Sequence, residues 1–119
     1  MQVTRIYTGD DNESHFEDID IEFTGSGPGG NMSDPVQTRY VVFRETDGSY
    51  DLDFHTAPRR QYVVNLRGSV EIETGSGDKR LLRPGSILLA EDTTGRGHKS
   101  RAVDGEKRES LFIALNNDE

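Results

Sequence analysis

The sequence predicts an all-β chain, and three observations lead there. Short segments rich in β-formers recur along its length, separated by glycine, proline and aspartate turns. Residues 15–23 (HFEDIDIEF) alternate strictly, with Ile19, Ile21 and Phe23 on one face and Asp18, Asp20 and Glu22 on the other. A period of two with one wet face marks a half-buried antiparallel strand. No window carries an apolar stripe at helical spacing with caps, so little or no helix is expected.

Length and composition set the frame. With 119 residues the chain is expected to form one domain, large enough for a real core. Hydrophobic residues make up 31%, which points to a small core under solvated faces. The formal net charge of −8 disfavours phosphate backbones and anionic bilayers, so neither nucleic acid nor membrane is expected as a partner. Without cysteine there is no disulfide or thiolate chemistry. No leader or long apolar run is read at the start of the chain, and a cytoplasmic location is expected.

In chain order, residues 2–8 (QVTRIYT) form a first strand and the alternating 15–23 a second, so that N-terminal strands occupy 1–24. GSGPGGNMSDP (25–35) is the longest run of breakers and reads as a loop within the domain, on the surface or over a pocket. The barrel core spans 36–115, with strands at 36–44, 49–55, 61–67, 69–74, 79–83, 86–90, 98–103 and 108–115. Asp47-Gly48, Gly75-Ser76-Gly77-Asp78, Pro84-Gly85 and Asp104-Gly105 supply turns between them. The tail 116–119 is expected to fray.

The chemistry-bearing residues cluster between Asp53 and His98. His55 and His98 sit at the ends of short β segments, the layout of a small barrel with a polar pocket. Gln61, Val63 and Asn65 share one face of their strand, which places Gln61 and Asn65 together toward the pocket. Asp53, two residues from His55, shares its face if alternation holds, and would bind substrate, ligate a metal or orient the ring. Arg59 is either a pocket clamp for an anionic group or half of a solvated Arg59-Arg60 pair. Glu91 and Asp92 cap a loop or serve as pocket acids near His98. His15 is a surface strand residue or a third imidazole at the mouth. Tyr40, Tyr50, Tyr62 and the phenylalanines read as core. No phosphate-cradling glycine loop with its lysine and no GxSxG elbow is present, and no glycine run opens a helix as a dinucleotide fingerprint requires.

These residues resemble the cupin motifs. Gly48, His55, Gln61 and Gly68 follow the first motif, with the Gly48–His55 gap one residue longer, while Gly95 and His98 follow the second, with Gly85 as its start two residues further upstream than the motif's spacing gives. The stretches APRRQYVV and LLAEDTTGRGH are also similar to those of uncharacterised single-domain cupins. The resemblance covers residues 36 to 115 and implies a double-stranded β-helix, or jelly-roll barrel. It further implies a homodimer formed through an edge strand or sheet face. The departures bear on metal. Ala57 and Gln61 stand where the family carries histidine and glutamate, and Thr93 and Ala102 stand where it carries proline and asparagine. The resemblance then implies either one divalent metal (Zn, Fe, Mn or Ni) on His55, Gln61 and His98, or none. Two functions follow as expectations. One is an enzyme acting on a small polar or anionic metabolite by acid/base or metal-assisted proton transfer, of isomerase or lyase type. His55 and His98 would be catalytic there, and Asp53, Arg59, Gln61 and Asn65 would bind substrate. The other is a non-catalytic binding or sensing cupin that has lost its metal.

Overall fold

The computed structural model describes residues 1–116. Among them there are twelve strands and no helix, hence no helix long and apolar enough to cross a membrane. The strands are β1 (Gln2–Thr8), β2 (Ser14–Asp20), β3 (Gly25–Gly27), β4 (Gly30–Met32), β5 (Thr38–Thr46) and β6 (Asp51–His55). They continue with β7 (Gln61–Arg67), β8 (Val70–Thr74), β9 (Lys79–Leu82), β10 (Ile87–Glu91), β11 (His98–Ala102) and β12 (Arg108–Leu115). Each expected strand is present with ends shifted by a few residues. The stretch 25–35 is the exception: it folds into the exposed β3–β4 ribbon rather than an unstructured loop, and its residues do not line the central cavity. Of the tail, Asn116 accepts a hydrogen bond from Arg60 through its carbonyl, and residues 117–119 lie outside the described residues.

Two sheets pack face to face. One runs β2-β1-β10-β7-β12-β5 and the other β6-β11-β8-β9. This is an all-β jelly roll, a double-stranded β-helix. Ile6, Leu88 and Ala90 from the larger sheet meet Val70, Ile72 and Leu82 from the smaller one, with Phe16 and Val63 packed against them. Burying each of the larger aliphatic side chains stabilises the fold by about 1.5–3 kcal/mol. The turn signals close the hairpins as read: Tyr50 N–H bonds to the Asp47 carbonyl, and Ser86 N–H to that of Arg83.

The larger sheet is apolar on its outer side as well. Val3, Leu89 and Leu115 are buried there with Ile19, Ile21, Tyr62 and Ile87 around them. At its far edge β5 has no partner strand on one side among the described residues, and Tyr40, Val41, Val42 and Phe43 are exposed in succession.

On the same outer side Glu91 of β10 ties Arg5 of β1 to Arg60, the residue just before β7. Its carboxylate accepts from Arg5 Nε at 2.5 Å and from Arg60 Nε at 2.7 Å. Burial opposes its ionisation, but the two guanidinium hydrogen bonds outweigh burial and hold its pKa below the ordinary glutamate value. A lowered folded pKa contributes stability above the unfolded pKa, and that contribution disappears as pH falls through the folded one. Glu91→Gln is therefore expected to cost about 1–2 kcal/mol at neutral pH. In urea melts the gap from wild type should close in acid, and a gap that stays constant to low pH would contradict this account.

Candidate functional site

A cavity of about 190 Å³ lies between the sheets. Its wall includes His55 and His98, together with Gln61 and Asn65 from β7. His55 ends β6 and His98 begins β11, and the two residues pair directly across the antiparallel register. Their ring centroids are 4.6 Å apart, inclined at 59°.

Each imidazole is held from behind. His98 is buried, and its Nδ1 lies 2.5 Å from Asp92 Oδ2. The same oxygen accepts from the Ser14 hydroxyl at 2.7 Å. Asp92 is 0% exposed, and its Oδ1 has no hydrogen-bond partner among the described residues. Its backbone carbonyl accepts from Ala57 N–H, tying the loop after β6 to the loop before β11. His55 Nδ1 is 2.8 Å from the Asp53 carbonyl oxygen. A carbonyl only accepts, so Nδ1 of His55 carries the hydrogen and Nε2 presents a lone pair. Asp92 places the hydrogen on Nδ1 of His98 in the same way. Two Nε2 atoms are thus left for chemistry.

The other expected site residues divide. Gln61 and Asn65 are buried on the inner face of β7, as the alternation implied. Asn65 Nδ2 donates to the Leu82 carbonyl, and its backbone closes the Pro84-Gly85 turn through Ser86 and Gly85. Arg59 is not on the cavity wall; it stands behind Gln61, with NH1 donating to Oε1 at 2.9 Å. Asp53 is also absent from the wall. Its exposed carboxylate accepts from Phe54 N–H, and only its backbone carbonyl serves His55. The reason is a bulge. His98 pairs with His55 but Ser100 pairs with Leu52, so β6 carries one extra residue. Strict alternation fails there, and Leu52 rather than Asp53 joins His55 on the wall. His15 lies away from the cavity, bonded to the Asp11 carboxylate at 2.9 Å.

Five polar residues of the wall, Arg44, Tyr50, Ser86, Ser100 and Arg108, are additional to the site residues the sequence singled out. Arg44 on β5, Arg108 on β12 and Tyr50 contribute to it, and Tyr50 Oη lies 2.6 Å from Ser100 Oγ. The alternation Arg108, Ser110, Phe112 was available as a signal. It was masked because Leu111, Ile113 and Leu115 make the opposite face look like the core.

The donor set fits a resident divalent metal poorly. No three His, Cys, Asp or Glu side chains converge among the described residues. Asp92 is engaged behind His98, and the Gln61 oxygen is taken by Arg59. What remains is two neutral nitrogens in a cavity that also contains two guanidinium groups, where such a site wants about three strong ligands.

No family model matches the chain. It is 29% identical over 97 residues to the cupin-domain-containing oxidoreductase srdB of Neurospora crassa, a match covering 82% of this chain and 46% of that protein. The chain therefore spans about half the length of this curated relative. Among solved structures it resembles a putative ethanolamine utilization protein Q from Salmonella typhimurium, with TM-score 0.50 and 13% identity over 97% of this chain and 95% of that one. It also resembles a conserved protein of unknown function from Streptococcus pyogenes, with TM-score 0.51 and 18% identity over 66% of this chain and 65% of that one. At these identities the structural likenesses speak for the fold alone. A relative named for its cupin domain, two motif-spaced histidines paired across β6 and β11, and a jelly roll closed around them together make this chain similar to the small cupins in fold and in motif spacing.

Proposed function

We propose that the cavity binds a small polar or anionic metabolite and that its histidines move a proton on it, as an isomerase or lyase requires. The observation carrying this reading is the buried chain Ser14–Asp92–His98 that ends against the His55 ring. His98 would take the proton on Nε2, and the buried Asp92 carboxylate would stabilise the imidazolium that forms. His55 is near enough to handle a proton at the neighbouring atom of the same substrate. The cavity volume corresponds to about six waters at ~30 Å³ each, which suits a ligand of roughly six to ten non-hydrogen atoms. We place this activity in the cytoplasm, with neither nucleic acid nor membrane as a partner, and the net charge of −8 disfavours both of those anionic surfaces.

The test is solvent exchange. Small hydroxy and keto acids are incubated with untagged protein in D₂O, and loss of C–H signal beside the carbonyl is followed by NMR. Wild type is expected to exchange at least one of them, and His98→Ala to slow that by about 10²-fold or more. Unchanged exchange in the His55→Ala/His98→Ala double variant would remove the assigned site. The two-imidazole donor set favours a second reading, a binding or sensing module without catalysis. Ligand-induced thermal stabilisation with no exchange in any acid would decide for it.

We also propose that a second copy covers the exposed β5 edge. Antiparallel self-pairing would satisfy its open backbone groups while burying Val41 and Phe43. Sedimentation should give a dimer for wild type and a monomer for Phe43→Asp. A wild-type monomer at micromolar concentration would refute this.

A further inference from the structure

Arg108 occupies an unusual position for an arginine. It is 5% exposed, on the inner face of β12, and its side chain is part of the cavity wall. Its Nε has no hydrogen-bond partner among the described residues, and no carboxylate pairs with it there. The charged residues beside it, Lys107 and Glu109, form their ion pairs elsewhere, with Glu45 and Arg67. The charged neighbour of Arg108 within the cavity is another cation, Arg44. Both guanidinium groups lie over the Tyr50 ring, at 5.6 Å for Arg108 and 5.3 Å for Arg44. Tyr50 is held in place through Ser100. Burial first, and the like charge of Arg44 second, push the Arg108 pKa below its usual value.

Folding does not favour such an arrangement. A buried cation is normally paired, because desolvation costs several kcal/mol that only a counter-charge and well-formed hydrogen bonds recover. Two cations facing one cavity without an acid between them make a strongly positive enclosure in a chain whose net charge is −8. The counter-charge that this enclosure lacks is an anion small enough to enter.

We propose that Arg108 and Arg44 form a carboxylate-binding subsite in the wall of this cavity. A guanidinium fork matches the two oxygens of a carboxylate, and Arg44 adds a second positive group. The rest of the wall is largely apolar, with Leu52, Val63, Ile72, Leu88 and Phe112. That environment suits a compact carbon skeleton carrying one carboxylate better than a phosphate dianion, which would need more donors. The inference shares its cavity with the proton-transfer reading and names the substrate class for it, but anion binding needs no catalysis.

The probes are lactate and pyruvate, with lactamide as the uncharged analogue and inorganic phosphate as a competing anion. At about 10 mM the two carboxylates are expected to raise the melting temperature of wild type, and lactamide is not. Arg108→Met should weaken carboxylate affinity by about tenfold or more in calorimetry, while melting no lower than wild type without ligand. Arg44→Met, at a less buried position, should weaken binding in the same direction and covers the case where Arg108→Met does not fold. Stabilisation by phosphate but by neither carboxylate, stabilisation by nothing in the set, or undiminished carboxylate affinity in both variants would each overturn the subsite. The two readings fail separately. Carboxylate binding without C–H exchange sinks proton transfer and leaves the subsite standing. Full-rate exchange in Arg108→Met does the opposite.

Discussion

Asp92→Asn is expected to slow proton exchange in the cavity by about 10²–10⁴-fold while leaving the fold in place. The geometry separates the two effects. One carboxylate oxygen, Oδ2, accepts from both Ser14 and His98, and the other, Oδ1, has no partner among the described residues. An asparagine oriented with its oxygen toward Ser14 and His98 keeps both hydrogen bonds, and its amide nitrogen takes the place of the unpartnered oxygen. The lost quantity is the buried negative charge, which matters most when His98 holds a second proton. Asp92→Ala removes the acceptor as well. It leaves the Ser14 hydroxyl and the His98 N–H buried without a partner, at a cost of about 3–5 kcal/mol. Chemical melts and exchange rates measured on the two variants should therefore diverge. If Asp92→Asn exchanges as fast as wild type, the carboxylate is only structural. If it unfolds as readily as Asp92→Ala, the charge is needed for folding rather than chemistry.

The sequence carried the fold because turn residues and a period of two are local signals, and each strand it implied is present. It carried the pairing of His55 with His98 only through the resemblance, since no local pattern aligns β6 with β11. Two kinds of information were hidden. The first is the bulge in β6, which changes which residues share a face: alternation pointed to Asp53, and the extra residue gave the position to Leu52. Nothing in DLDFH announces that change. The second is which face of β12 looks inward. Leu111, Ile113 and Leu115 form its greasier side, yet they face out, and Leu115 joins a cluster on the outer surface of the larger sheet. On β12 the charged residue faces in and the aliphatic ones face out, which inverts the usual pattern, so nothing in the alternation marks Arg108 and Arg44 as cavity residues. Asp92 was readable as an acid near His98, but whether it capped the loop or faced the ring depended on how the loop of residues 92–97 closes.

That closure rests on Gly97, and Gly97→Ala is expected to destabilise the protein by several kcal/mol and to dismantle the histidine pair. Gly97 has φ +79°, and a Cβ built on it would lie 2.0 Å from the His55 carbonyl oxygen and 2.8 Å from Thr56 N. Both obstacles are backbone, so no side-chain rotation relieves them. The conformation costs a non-glycine residue about 1–2 kcal/mol. Forcing the strands apart adds about 1–3 kcal/mol more. Gly77 provides the control, because it has φ +88° and open space around its would-be Cβ. Gly77→Ala pays the conformational term alone. Gly97→Ala should then melt lower than Gly77→Ala by about 4–24 °C, taking about 4–8 °C per kcal/mol for the extra ~1–3 kcal/mol. It should also lose C–H exchange at temperatures where it is still folded, because the contact it breaks is the one that sets His98 opposite His55. Equal melting of the two variants would mean that this backbone approach does not determine where the rings meet.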